Sequence, residues 1–534
     1  MNPKTELLSL PDELIANILT FLPWQDILRC ATLCKGLRKI YMSFLELQYI
    51  TELGSQHLLS VSNNHISVSE RLQLLRDNAR AWFEFDLHSF ETISIPDEFH
   101  LSLFTATYIT NGHACFWNPS LDSVRILPVL PRPSQQTIKR DFSPGLLCGV
   151  ANHNNIDVFM DPVQNLLAIA YSIGDTEFPY DEVSHIDLLT LDGDDTHPQA
   201  AGRTLFMPSL FMPRSREDDA TRWSKLEGFG RHIAFLRFMP LFDITGSSFA
   251  SIWWLQIWDW HHSTSSNSIL TGPIEVDLHS DRSTDFCFLG NDRFLITSYD
   301  LKLYSIEDMS QPPQLLACFL LPASVLDLQC FTPTSDIARS SHPRMQVQWI
   351  SDPVHRVLSL VSHSSDLDFI ISTKIFFDDY FDDYLDSSGL LTTIPWMYWG
   401  PSNARIFLHQ FPCRLGVNGS RALYAFPAAG ATQDSNLVYS EYRLHLMDFS
   451  PSAVRYHQLG LGRLVDEPST VGNCQSGESL TTFLPYVEVV SDRTFSWREF
   501  AEVWLDKDNI YLFKESMEND TMILDELEVI KMRE

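Results

Sequence analysis

The chain has 534 residues, 44% of them hydrophobic and 20% charged, with a formal net charge of −30. That length exceeds one compact core, and that composition belongs to a globular chain rather than a disordered one. So negative a surface repels phosphate backbones, which argues against nucleic-acid binding; its plainest use is solubility.

Residues 1–50 carry five basic side chains (Lys4, Arg29, Lys35, Arg38, Lys39) and five acidic ones (Glu6, Asp12, Glu13, Asp26, Glu46), so the acidity lies in the remainder. Nine cysteines are spread without dense clustering, as expected of free thiols in a reducing compartment. Asn418-Gly419-Ser420 and Asn519-Asp520-Thr521 fit the glycosylation triplet, a pattern that arises readily by chance. No stretch approaches about 18 uninterrupted apolar residues. Asp12 and Glu13 interrupt the N-terminal apolar segment that would otherwise mimic a signal peptide. A cytoplasmic or nuclear protein without membrane contact is expected.

The first predicted element is a helix entered through Leu8-Ser9-Leu10-Pro11-Asp12-Glu13-Leu14. Ser9 reads as its N-cap, Pro11 sits early in its first turn, and Asp12 and Glu13 favour its positive end. Leu14, Ile15, Ile18, Leu19 and Leu22 follow at helical spacing, and Pro23 stops the run. A second short helix is predicted near Asp26–Leu33, with Ile27, Leu28 and Ala31 on one side. A third carries Leu33, Leu37, Ile40 and Phe44. Three short helices in about forty residues cannot bury all these apolar groups among themselves, so an exposed patch and a partner are expected.

This arrangement resembles the F-box, which docks a protein onto the adaptor of a cullin–RING ubiquitin ligase. The resemblance rests on Leu10-Pro11-Asp12-Glu13-Leu14-Ile15, Ile18-Leu19, Leu22, Asp26-Ile27-Leu28 and Leu33-Cys34-Lys35, with the family's spacing kept throughout. It covers under a tenth of the chain. Leu37 stands where the family usually has Trp, which keeps an apolar contact but removes an aromatic one. By this resemblance, Leu10, Pro11, Ile15, Ile18, Leu22, Leu28, Cys34 and Leu37 lie at or just behind the surface that binds a Skp-family adaptor. The alternative is a helical cap packed on the rest of the protein. Cys30 and Cys34, one turn apart, lack further ligands for a tetrahedral metal site and read as buried structural thiols.

Ser67-x-x-Glu70 is a capping-box signature, followed at helical spacing by Leu72, Leu75, Ala79 and Trp82 or Phe83. The expected helix would link the N-terminal module to the larger remainder of the chain. Glu46-Leu47-Gln48-Tyr49-Ile50, with Glu70-Arg71-Leu72 and Trp82, resembles fungal F-box proteins with long β-rich C-terminal regions.

From about residue 85 the pattern changes to short apolar runs separated by turns such as Gly290-Asn291-Asp292 and Asp506-Lys507-Asp508. His232–Met239, Ile252–Trp260, Arg293–Tyr299, Leu301–Ile306, Phe369–Phe377, Arg421–Phe426 and Tyr442–Phe449 are among the predicted strands. A strand–turn–strand–loop phrase recurs roughly every 45–65 residues, about six or seven times, and Trp258-Asp259 stands where a WD dipeptide would. The chain therefore reads as an α+β multidomain protein. A small trihelical F-box (1–50) and a helical linker (51–84) precede a predominantly β domain (85–534). That domain is expected to be a degenerate WD-repeat-like β-propeller, with a pair of β-sandwiches as runner-up.

Asp378-Asp379-Tyr380-Phe381-Asp382-Asp383-Tyr384 is the sharpest charge feature. Asp378, Asp379, Asp382 and Asp383 are candidates for holding a basic peptide of a substrate, against the plainer reading of a solvated acidic loop. The run lacks the glycine and closing glutamate of an EF-hand. His261-His262 reads as a hairpin tip rather than a shared metal site. Trp253, Trp254, Trp258 and Trp260 read as alternating core and inter-blade residues rather than an aromatic ligand box. No GxSxG, HExxH, GxxxxGK[ST] or paired CxxC motif occurs.

The expected function is the substrate-recognition subunit of an SCF-type ligase, not an enzyme, with no cofactor, no resident metal and an unknown protein substrate. Rival readings are an F-box-bearing scaffold and a propeller hydrolase, which would need convergent carboxylates or a metal at its channel.

Overall fold

The structure is a computed structural model. It describes residues 7–61, 66–95, 106–118, 123–129, 138–142, 153–173, 183–207, 224–242, 248–274, 284–322, 328–331, 349–362, 367–378, 393–408, 416–431, 440–472, 479–496, 502–518 and 521–532.

The N-terminal helices are α1 (Asp12–Leu19), α2 (Trp24–Leu33), α3 (Lys35–Ser43), α4 (Leu45–Ser55) and α5 (Val68–Glu84). Ser9 does not cap α1. Leu7–Ser9 forms its own 3-10 turn, and Pro11, extended at φ −54° and ψ 143°, holds the N-cap position without a side-chain bond. A proline has no N–H of its own to leave unpaired at this position, and its carbonyl accepts the Leu14 and Ile15 N–H groups at 3.0 and 3.1 Å. Pro23 does the same for α2, which therefore starts two residues earlier than expected. Cys34, extended at φ −154°, separates α2 from α3, and its sulfur accepts the Leu37 N–H at 3.5 Å. Ile15, Ala16, Leu19, Ile27, Leu37, Ile40 and Leu47 form the core of the module. α4 runs through residue 50. α5 begins as its sequence predicts, with Ser67 Oγ accepting the Glu70 N–H at 3.2 Å.

Beyond these helices, the described residues form seven blades of four or five strands, antiparallel except that Thr393–Ile394 joins blade 4 parallel to Gln314–Leu320. Blades 1 to 6 start at strands Ala106–Thr110, His153–Asp161, Ser224–Phe229, Asp285–Phe288, Leu328–Phe331 and Gly416–Asn418. Blade 7 takes three strands from the C-terminal end (Glu502–Leu505, Asn509–Glu518, Thr521–Lys531) and its outer strand, Phe90–Ser94, from far upstream. Phe90 lies opposite Ile530 and Ser94 opposite Glu526, so the two ends of the propeller close the ring together.

Burial follows strand periodicity. Ala234, Leu236 and Phe238 of blade 3 pack against Phe286, Phe294 and Ile296 of blade 4. Their neighbours Ile233 and Phe235 pack against Ala168, Ile186 and Leu188 of blade 2. Successive side chains of a strand point to opposite faces, and both faces of a blade are covered. That is why these strands read as continuous apolar runs. Each of the seven seams between adjacent blades holds such a cluster. The tryptophans divide accordingly: Trp253 joins the seam of blades 3 and 4, while Trp254, Trp258 and Trp260 join that of blades 2 and 3.

Innermost strands are pinned by carboxylates. Asp157 accepts the Leu226 N–H at 2.7 Å, across blades 2 and 3. Asp285 accepts the Cys330 N–H at 2.8 Å, across blades 4 and 5, and also binds Lys225 Nζ at 2.8 Å. Burial pushes the Asp157 carboxyl up to about 7. Two short helices decorate the ring: α6 (Trp396–Asn403) within blade 5 and α7 (Ala453–Gln458) within blade 6.

Candidate functional site: the apolar face of the N-terminal helices

One face of α1 closes the module's core through Ile15, Ala16 and Leu19; the other leaves Leu14 and Ile18, four residues apart, 51% and 45% exposed. Phe21, just past the helix, is 83% exposed, and Leu33, at the end of α2, 75%. Leu8, Pro11 and Leu28 are exposed too. Exposed large apolar side chains are thus concentrated in these helices, more densely than scattered surface leucines would be.

Of the residues implicated by sequence, Pro11, Ile18 and Leu28 are exposed. Leu10, Leu22 and Cys34 are half-buried and pack against the module's core from its rim. Ile15 and Leu37 lie inside that core, where they support the face from behind. Sequence reasoning left out Leu8, Leu14, Phe21 and Leu33; the signal was there for Leu14, which shares a helical face with Ile18. Cys30 is half-buried like Cys34, not fully buried as expected, because both lie at the margin of a small core.

Rigid contacts hold this module to the propeller. Buried Glu52 of α4 accepts from Arg76 of α5 at 3.3 Å, from Arg455 of α7 at 2.8 Å and from Gln56 at 3.2 Å. Trp82 of α5 is fully buried in the seam of blades 6 and 7. Its Nε1 donates to the Lys507 carbonyl at 3.2 Å, and the Arg421 guanidinium lies 4.9 Å from its ring. Phe83 stacks on Tyr456 with ring centroids 4.5 Å apart. Leu58–Ser60 pairs with Trp349–Ser351, beside which the His57 and His355 rings stack at 4.3 Å. Burial, and then His355, push His57 down to about 4.

Of the acidic candidates, Asp378 is exposed, while Asp379, Asp382 and Asp383 lie outside the described residues. His261 and His262 follow the strand Ser248–Asp259 in a turn, their ring centroids 6.4 Å apart. His262 Nδ1 meets Asp259 at 2.8 Å. Among the described residues, no group of three or more His, Cys, Asp or Glu side chains could hold a metal ion. No described helix is long and apolar enough to cross a membrane.

Residues 7–45 match the family model described as F-box-like. No curated protein matches the chain. Among solved structures, the chain is similar to the WD40 domain of SCAP from fission yeast, at 7% identity over 89% of this chain and 97% of that one, with a TM-score of 0.33. It is also similar to the β-propeller domain of the Trilobed protease from Pyrococcus furiosus, at 9% identity over 82% of this chain and 97% of that one, TM-score 0.30. Puromycin hydrolase is 12% identical over 74% of this chain and 50% of that one, TM-score 0.31. Likenesses at this level carry no functional argument. The chain is thus an F-box-like domain at residues 7–45, followed by a seven-bladed β-propeller.

Proposed function

We propose that this chain is the substrate-recognition subunit of an SCF-type cullin–RING ubiquitin ligase. F-box domains generally bind Skp-family adaptors, and an F-box-like domain joined to a propeller is an arrangement for interaction rather than catalysis. The observation that carries the reading is the exposed apolar face of α1 and α2 on a module clamped to the propeller through Glu52 and Trp82. A clamp of this kind keeps a captured protein at a set distance from the adaptor. Chemistry would then be done by the complex, by raising the effective concentration of a target lysine near the charged ubiquitin carrier.

The test is binding of a purified Skp-family adaptor to the full chain and to Leu14→Asp and Ile18→Asp variants. Tight binding by the native chain, lost in both variants, supports the reading. No binding by the native chain overturns it. Accumulation of propeller-bound proteins when the adaptor is depleted separates a ligase receptor from a scaffold.

A further inference from the structure

α3 carries a stripe of cations on the side opposite the module's core. Leu37 and Ile40 are its buried residues. Lys35, Arg38, Lys39 and Met42 line the other side, because residues three and four apart share a helix face. All four are exposed, Met42 to 64%. The helix that presents them is held from its remaining sides. The Tyr41 hydroxyl meets that of Thr51 on α4 at 3.0 Å, and Gln48 Nε2 donates to the Met42 carbonyl at 3.0 Å.

No carboxylate neutralises this stripe. α3 contains none. Asp26 of α2 is held by Arg29 at 2.7 Å. Asp12 and Glu13 stand in the first turn of α1 and Glu46 in that of α4, where they complement the positive helix ends. Among the described residues, no carboxylate forms an ion pair with Lys35, Arg38 or Lys39. The first fifty residues hold as many acidic as basic side chains, so the stripe arises from segregation of charge rather than from an excess. Like charges three and four residues apart repel one another, and an anionic partner relieves that repulsion. The chain's net charge of −30 belongs to the residues beyond the first fifty. Exposed charges farther off than about 8 Å are largely screened at physiological salt, so an incoming surface meets the stripe itself. The exposed thioether of Met42 among the cations favours a protein segment, which can offer an apolar side chain, over a bare phosphate backbone.

We propose that α3 binds a segment of the ligase adaptor whose aspartate or glutamate side chains face Lys35, Arg38 and Lys39, with an apolar residue set against Met42. This deepens the adaptor-binding reading and rests on it.

The test is titration of a purified Skp-family adaptor into three full-length chains at low and high ionic strength: the native protein, a Lys35→Gln/Arg38→Gln/Lys39→Gln variant, and a Lys35→Arg/Arg38→Lys/Lys39→Arg variant. The substituted positions are exposed and the new residues are good helix formers, so all three should share one thermal midpoint. The expected result is that the native affinity falls on adding salt, that the glutamine variant binds at least about tenfold more weakly at low salt and loses most of that salt dependence, and that the charge-conserving variant binds like the native chain. Equal affinity and equal salt dependence in the native and glutamine chains overturns the inference while leaving the receptor reading standing. No adaptor binding by the native chain removes both. Binding of anionic phospholipid vesicles that the glutamine variant loses, with adaptor affinity unmoved, assigns the stripe to a membrane and also overturns the inference.

Discussion

Glu52 and Arg455 are 403 positions apart in sequence and 2.8 Å apart in space. Glu52 is 5% exposed and also holds Arg76, so one carboxylate joins α4 and α5 of the N-terminal region to α7 of blade 6. Replacing Glu52 by Ala leaves two guanidinium groups without their partner and a small void. Arg455 is 55% exposed, so water recovers part of the loss. The expected cost is about 1–2 kcal/mol for Glu52→Ala and under about 1 kcal/mol for Arg455→Ala. Urea unfolding measures both; equal, negligible costs would mean the carboxylate does not clamp the helices.

Trp82 closes the seam of blades 6 and 7 from outside the ring. Trp82→Ala should cost about 3–5 kcal/mol, from lost burial and the cavity it leaves. Trp82→Phe should recover much of this but not the bond to the Lys507 carbonyl. Thermal unfolding of the full chain checks the order native, Phe, Ala.

Neighbouring residues of α1 should fail in different ways. Ile15→Ala, in the core, should lower stability by about 1–3 kcal/mol, discounted for so small a module. Ile18→Asp, on the face, should leave the thermal midpoint unchanged and weaken adaptor binding by about 2 kcal/mol or more. Calorimetry beside an adaptor titration reads both effects. A stability loss in Ile18→Asp equal to that in Ile15→Ala would show that both faces of the helix are buried.

Acid should destabilise the propeller through His232. It is fully buried beside Phe288, and neither ring nitrogen has a hydrogen-bond partner among the described residues. Burial, then Arg231, push it down to about 4 from an ordinary 6.5. The unfolded chain therefore takes up this proton first as pH falls. The contribution of His232 is full above about 6.5, declines between there and about 4, and levels off below, while Asp157, raised by burial to about 7, acts with the opposite sign over the same window, so the His232 effect is read as the difference between native and variant. His57 titrates with the same sign. His232→Phe should flatten part of this decline and be neutral or stabilising at pH 7. Urea midpoints across the pH range decide it; an unchanged acid slope would mean the imidazole is not the source.

The N-terminal module was legible in the residues because its signals are local. Helical spacing at Leu14 and Ile18, the prolines at 11 and 23 and the Ser67 cap act within one turn, and any helix must satisfy them. The β-rich character of the remainder was legible for the same reason. Which apolar residues face outward was not: Ile15 and Ile18 are alike in type, and only the packing of α2, α3 and α4 chooses between them. Nor could local pattern count the blades. The seventh exists because Phe90–Ser94 pairs with Thr521–Lys531, and that pairing joins opposite ends of the ring. The Glu52–Arg455 bond belongs to the same class. Periodicity governs what a segment becomes, whereas contacts between distant segments arise only once the seams between blades close and fix where each surface stands.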